Sequence, residues 1–121
     1  VSYEVAVLDE VKDIDTPKLL DTDRALGRVV AELVRDLHRD PWLGREMRER
    51  MRLAVLRDCR KISFDVPSHK GKPRFRLVYR NQPNDGSIAI ITVLAVGARE
   101  GLQVYKHAAT RLGAQHRQGR P

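Results

Sequence analysis

The chain has 121 residues, 41% hydrophobic and 32% charged, with a net charge of +7: enough for one core, too little for two, and too apolar for disorder throughout. No apolar run approaches the roughly 20 residues a membrane-crossing helix needs, and the first ten residues carry acids where a signal peptide would begin with basic residues, so neither feature is expected. The single cysteine, Cys59, cannot make an internal disulfide and the four histidines are scattered; the reading is one soluble domain over residues 1–121 with no metal and no cofactor.

In chain order, "SYEVAVLD" alternates Tyr3, Val5 and Val7 with Glu4 and Ala6 and is expected to be a first strand. Leu26, Val29, Val30, Leu33, Val34 and Leu37 then recur at three and four, which predicts an amphipathic helix over at least Asp23 to Arg39, capped by Asp21 or Thr22. Asp15, Thr16 and Pro17 form an earlier start signal and allow an extra turn or helix before it. Asp40-Pro41 ends the helical region. The segment "WLGREMRERMRLAVL" fits two readings: a helix on Leu43, Met47 and Met51, or a loop with a short helix inside on account of Gly44.

From Cys59 the period becomes two. "CRKISFDV", "RFRLVYR" and "SIAIITVLAV", separated by the turn segments "PSHKGKP" and "NQPNDG", predict an antiparallel meander, the third strand being nearly all apolar and therefore central. After Gly97, residues Leu102, Tyr105, Ala109 and Leu112 space out a closing helix, and residues 113–121 read as a loose tail. The expected fold is α+β: a small antiparallel sheet of about four strands, an N-terminal helical hairpin and a C-terminal helix.

Charge is unevenly placed along this order. Residues 1–44 hold six Lys/Arg against ten Asp/Glu, whereas residues 45–121 hold seventeen against six. The stretch "GKPRFRLVYR" puts Lys72, Arg74, Arg76 and Arg80 at even positions, with Phe75, Leu77 and Tyr79 between them. A solvated strand face needs polarity, not four cations without a carboxylate, so a polyanion is the expected partner, nucleic acid first and an acidic protein segment second. An anionic membrane ranks below both, because the cations lie on a strand and not on an amphipathic helix.

The segments "DCRKISF", "RFRLVYR", "VLAVGAREGLQVY" and "AATRL" resemble, in order and spacing, the RelE branch of the RelE/ParE superfamily of bacterial type II toxin-antitoxin systems, over about Asp58 to Leu112. The resemblance implies a cytoplasmic toxin that enters the A site of the 70S ribosome, cuts messenger RNA as a metal-independent endoribonuclease, inhibits translation, and is held inactive by a cognate antitoxin. It assigns the catalytic positions to Lys61, Arg76, Arg99 and Tyr105. Two cations of the family pattern are absent, their places taken by Ser63 and Ala98; Arg60, Lys70, Lys72 and Arg74 are the expected RNA-backbone contacts. Two rival functions come from other classes: a ParE-like toxin that inhibits DNA gyrase without cutting, and an attenuated relative that only binds RNA or an antitoxin.

The implied reaction is attack of a 2′-hydroxyl on the adjacent phosphate. Tyr105 is the candidate base, although a free phenol titrates near ~10 and needs flanking cations such as Arg99 to favour phenolate. Arg76 and Arg99 present planar forks for the developing phosphorane charge, and Lys61 serves the same charge or the leaving oxygen. Read without the resemblance, Lys61 is a surface partner for Asp65, His69 a solvent-facing loop residue, Trp42 a packing anchor and Cys59 a buried apolar filler.

Overall fold

The computed structural model describes residues 2–47 and 56–118, with side chains as far as Gln115. In chain order the elements are β1 (Glu4–Val7), one π-helical turn (Val11–Asp15), α1 (Thr16–Thr22), α2 (Ala25–Leu37), β2 (Arg45–Glu46), β3 (Cys59–Phe64), β4 (Phe75–Gln82), β5 (Ile90–Ala98), a 3₁₀ turn (Glu100–Leu102) and α3 (Gln103–Gln118). The strands form one sheet in the order β1-β5-β4-β3-β2. β1 runs parallel to β5 and every other pairing is antiparallel. The meander is therefore as expected, with a fifth strand, the two-residue β2, added at its edge. Residues 48–55, where the second half of the ambiguous segment falls, lie outside the described residues.

β5 is apolar along its length because helices cover both sides of it. On one side Leu19 of α1 and Leu26, Val30 and Leu37 of α2 pack with Phe64, Phe75, Leu77, Tyr79, Ile91, Val93 and Val96. On the other, Val104, Tyr105, Ala108 and Leu112 of α3 pack with Cys59, Val78, Leu94 and Ala95. A bulge makes the second face. Val78 pairs with Ala95 and Tyr79 with Val93, so Leu94 is passed over and two successive β5 residues turn toward α3. Cys59 is the buried filler expected of it, with burial pushing its thiol up to about 12.

Two local readings are refined. Asp23, neither Asp21 nor Thr22, caps α2, its Oδ1 accepting from the Ala25 N–H at 2.9 Å. Residues from 113 onward continue α3 to Gln118 where a loose tail was expected, since nothing in "GAQHRQ" stops a helix whose preceding turns are already packed on the sheet. His38 is structural: its Nδ1 lies 2.9 Å from the Tyr3 carbonyl, and the Tyr3 N–H donates to the His38 carbonyl at 2.8 Å, joining the end of α2 to the start of β1.

One ion pair joins the three layers. Asp15, at the end of the π-helical turn, accepts from Arg111 of α3 through both oxygens, Oδ2 from Nη1 at 2.6 Å and Oδ1 from Nη2 at 2.9 Å. Oδ2 also accepts from the Val96 N–H at 2.9 Å, and Arg111 Nη1 donates to the Leu94 carbonyl at 3.0 Å. Both side chains are buried. Removing one partner strands a charge in a dry site. We expect Asp15→Ala to cost about 3 to 5 kcal/mol in urea unfolding, and the double variant Asp15→Leu, Arg111→Met to recover much of it, because the second change removes the orphaned guanidinium.

Candidate nucleic-acid interface

Antiparallel register decides which cations share a side of the sheet. Arg45 is opposite Lys61 and Ser63 is opposite Arg76, so these four project to the α3 side near the β2 edge. They line an open basin of about 660 Å³ with Leu43, Ile62, Lys72, Pro73 and Arg99. Five cations and no carboxylate stand among these lining residues. Lys61, Arg76 and Arg99, three of the four positions expected to be catalytic, are thus brought together. Arg99 reaches the basin because the chain reverses just after β5, with its N–H donating to the Arg74 carbonyl at 3.0 Å.

Tyr105 is placed differently from expectation. It lies fully buried in the α3 core, and the Lys61 ammonium sits over its ring, 5.7 Å from the centroid. Its hydroxyl and the neighbouring Arg76 Nε are both buried without a hydrogen-bond partner among the described residues. Burial pushes the phenol above its ordinary value, against the opposing pull of Arg76 and Arg99. The flanking cations foreseen from the sequence are present, but desolvation outweighs them, so in this arrangement Tyr105 is a neutral phenol beneath the basin floor. Its position depends on a kink: Gly101 and Leu102 adopt left-handed φ of 65° and 58° as the chain enters α3. Glycine takes this conformation freely, while for Leu102 it costs roughly 1 to 2 kcal/mol.

Arg76 is anchored as well as aimed. Its Nη1 donates to the carbonyls of Pro73 at 2.9 Å and Phe75 at 2.8 Å, which fixes the guanidinium at the basin wall. Arg45 is the cation the sequence reading missed. It occupies a two-residue strand, too short for alternation to reveal itself, and only its register with Lys61 puts it in the basin that Ser63 also lines, the place where this chain lacks a second lysine.

Two expected RNA contacts are otherwise engaged. Arg74 lies in a bidentate pair with Asp65, Nε to Oδ2 at 2.9 Å and Nη2 to Oδ1 at 2.9 Å, and its guanidinium rests over Phe75. The turn between β3 and β4 folds Asp65 onto Arg74, which also displaces the Lys61–Asp65 pairing that strand spacing allowed. Arg60 faces away from the basin, because alternation puts it opposite Glu46 on the other side of the sheet. Its Nε donates to the Gly44 carbonyl at 2.8 Å and its guanidinium lies over Trp42. Lys72 lines the basin, whereas Lys70 is exposed in the turn and is not among the lining residues. His69 is drawn into the same knot, Nε2 lying 3.6 Å from Asp65 Oδ2. Trp42 is 42% exposed and is no core anchor.

Taken together, the mixed five-stranded sheet, the N-terminal helical hairpin and the basin floored by a C-terminal helix define the RelE fold, as the sequence led us to expect. A solved structure carries the comparison: the free state of an E. coli toxin RelE variant, with two arginines changed to alanine, matches with a TM-score of 0.61 and 18% identity, covering 92% of this chain and 98% of that chain. No family model and no curated protein sequence matches the chain.

The Asp65 knot gives a pH signature. The Arg74 side chain, helped by the backbone N–H groups of Arg74 and Val66 and opposed by burial, holds the Asp65 carboxyl well below the usual carboxylate range. A depressed folded-state value contributes stability above the unfolded-state value near ~4 and loses it as pH falls through the folded one. In urea midpoints across a pH series, the advantage of the parent over Asp65→Asn is expected to be full near neutrality and to shrink below about pH 4.

Proposed function

We propose that the chain is a RelE-type toxin acting as a metal-independent, ribosome-dependent messenger RNA endoribonuclease. Residues 1–121 form its toxin domain, it works in the cytoplasm, and a cognate antitoxin holds it inactive. The observation that carries this reading is the basin, where Arg45, Lys61, Lys72, Arg76 and Arg99 converge without a carboxylate among the lining residues. Such a concentration of fixed cations suits a phosphodiester whose charge rises on the way to a phosphorane, and electrostatic terms of this kind are often the largest in catalysis.

In the proposed reaction the ribose 2′-oxygen forms a bond to phosphorus and the bond to the 5′-oxygen of the next nucleotide breaks, leaving a 2′,3′-cyclic phosphate and a 5′-hydroxyl. Arg76 and Arg99 hold the non-bridging oxygens. The Lys61 ammonium gives the departing 5′-oxygen its proton and recovers one from water afterwards. As Lys61 swings from the Tyr105 ring toward the phosphate, it uncovers the phenol, which first gives its proton to water; the phenolate, stabilised by Arg76 and Arg99, then takes the 2′-proton. Proton transfer is the weak part of this set, and substrate alignment by the ribosome supplies the rest, positioning alone being worth roughly 7 to 11 kcal/mol.

Buried Tyr105 and the serine at position 63 favour one rival, the attenuated relative that binds RNA or an antitoxin and cuts nothing. The deciding experiment incubates the purified protein with translating ribosomes and maps message ends. Cuts at A-site codons are expected, and Arg76→Ala and Arg99→Ala are each expected to slow them about 100- to 1,000-fold with unchanged circular dichroism. Tyr105→Phe is expected to slow them without changing the folded state. An uncut message overturns the nuclease reading, and inhibition of gyrase supercoiling by the same preparation replaces it with the ParE-like one.

A further inference from the structure

Trp42 is the chain's single tryptophan and stands 42% exposed beside Leu43, which is exposed to the same degree. Its loop is tied at several points, two of them the buried side chains Tyr79 and Asn81 of β4. The Pro41 carbonyl accepts from the Tyr79 hydroxyl at 2.8 Å and from Asn81 Nδ2 at 2.9 Å. The Trp42 N–H donates to Asp40 Oδ1 at 3.0 Å, and the Gly44 N–H donates to the Tyr79 hydroxyl at 2.8 Å. Gly44 is required by close approach: a Cβ there would stand 2.8 Å from both the Lys61 carbonyl oxygen and Tyr79 Cε1. Arg60, anchored on the Gly44 carbonyl and 3.7 Å from Glu46, holds its guanidinium 5.2 Å from the Trp42 ring centroid. An indole held rigid, backed by a cation and open to solvent is a preorganised stacking surface.

Its location says what it stacks. β2 is the edge of the sheet, and Leu43 lines the cation basin on one side of that edge while Trp42 meets Arg60 on the other. A polynucleotide leaving the basin past Leu43 rounds the edge directly onto the indole. We propose that Trp42, backed by Arg60, is a base-stacking platform for a single-stranded RNA nucleotide flanking the phosphates held in the basin. The assignment rests on reading the basin as an RNA site, and it gives Arg60 a role other than phosphate contact.

The test uses the full chain and its own tryptophan emission. A short single-stranded RNA is titrated in while anisotropy of a label on the RNA and quenching of Trp42 are read together, and an abasic chain with the same number of phosphates serves as control. The expected result is quenching that saturates with the anisotropy for RNA and is absent for the abasic chain. Trp42→Ala is expected to weaken RNA binding about tenfold, the scale of one stacked base, and Trp42→Phe to restore most of it. The salt slope of binding is expected to stay the same in both variants, since stacking releases no counterions, while Arg45→Ala lowers it by about 0.7. RNA binding without quenching, equal quenching by the abasic chain, a lowered salt slope in Trp42→Ala, or no RNA binding at all overturns the platform. Quenching without message cleavage on ribosomes leaves the platform standing and sinks the nuclease reading; cleavage without quenching does the reverse.

Discussion

The Asp15–Arg111 pair is the constraint on which the rest of the architecture depends. It brings together the N-terminal helical turn, the bulged stretch of β5 and the final helix, and it does so with charges that are largely removed from water. Burying the two ions is expensive, and only the bidentate geometry, the Val96 N–H and the Leu94 carbonyl together offset the desolvation. A hydrophobic contact at this point would tolerate a helix rotated or slid by a turn. An ion pair with four directed bonds does not, so α3 has one seat on the sheet.

That seat governs the basin. Tyr105 lies a turn and a half before Arg111 on the same helix, and with α3 fixed its ring supports the Lys61 ammonium from below. Of the cations, Arg45, Lys61 and Arg76 are put on one side by strand register, while Lys72 comes from the β3–β4 turn and Arg99 from the chain just after β5. Fold and site therefore have different supports: packing and the ion pair hold the floor, and the strand ladder sets the walls. Among the described residues three buried polar atoms lack a partner, and two of them, Arg76 Nε and the Tyr105 hydroxyl, occur where these supports meet; the third, Asn81 Oδ1, is not at the basin. Unsatisfied polar groups are costly to keep in a core, and functional or strained sites are where such exceptions are expected.

Much of this was legible in the residues. The two-residue period of β3 and β4 and the three-and-four spacing of Leu26, Val30 and Leu37 read directly as strands and helix, because a buried face imposes its period on the sequence. Lys61, Arg76 and Arg99 were recoverable through the segments around them. What was hidden has a physical reason in each case. Arg60 and Lys61 are adjacent letters on opposite faces, and a list of cations does not separate them. Arg74 continues the even-numbered row of Arg76, yet it precedes β4, where the turn brings Asp65 across to neutralise it. Arg45 and Trp42 belong to an edge whose conformation is dictated by Tyr79 and Asn81, nearly forty positions away. Burial of Tyr105 depends on how deep α3 sits, which its own apolar spacing does not report.

The parallel ladder between β1 and β5 matters for the order in which the molecule is made. Glu4 finds its neighbour at Ile90 and Val7 at Val93, so a chain growing from its amino end carries β1 through the making of α1, α2, β2, β3 and β4 without the strand it must join. The apolar sides of β1 and α2 stay uncovered by β5 in that interval, and non-local pairings of this kind close slowly. It also means that Arg99 and the helix under Lys61 arrive after the other basin cations. A nascent molecule consequently has no complete basin until Arg99 and α3 have been released.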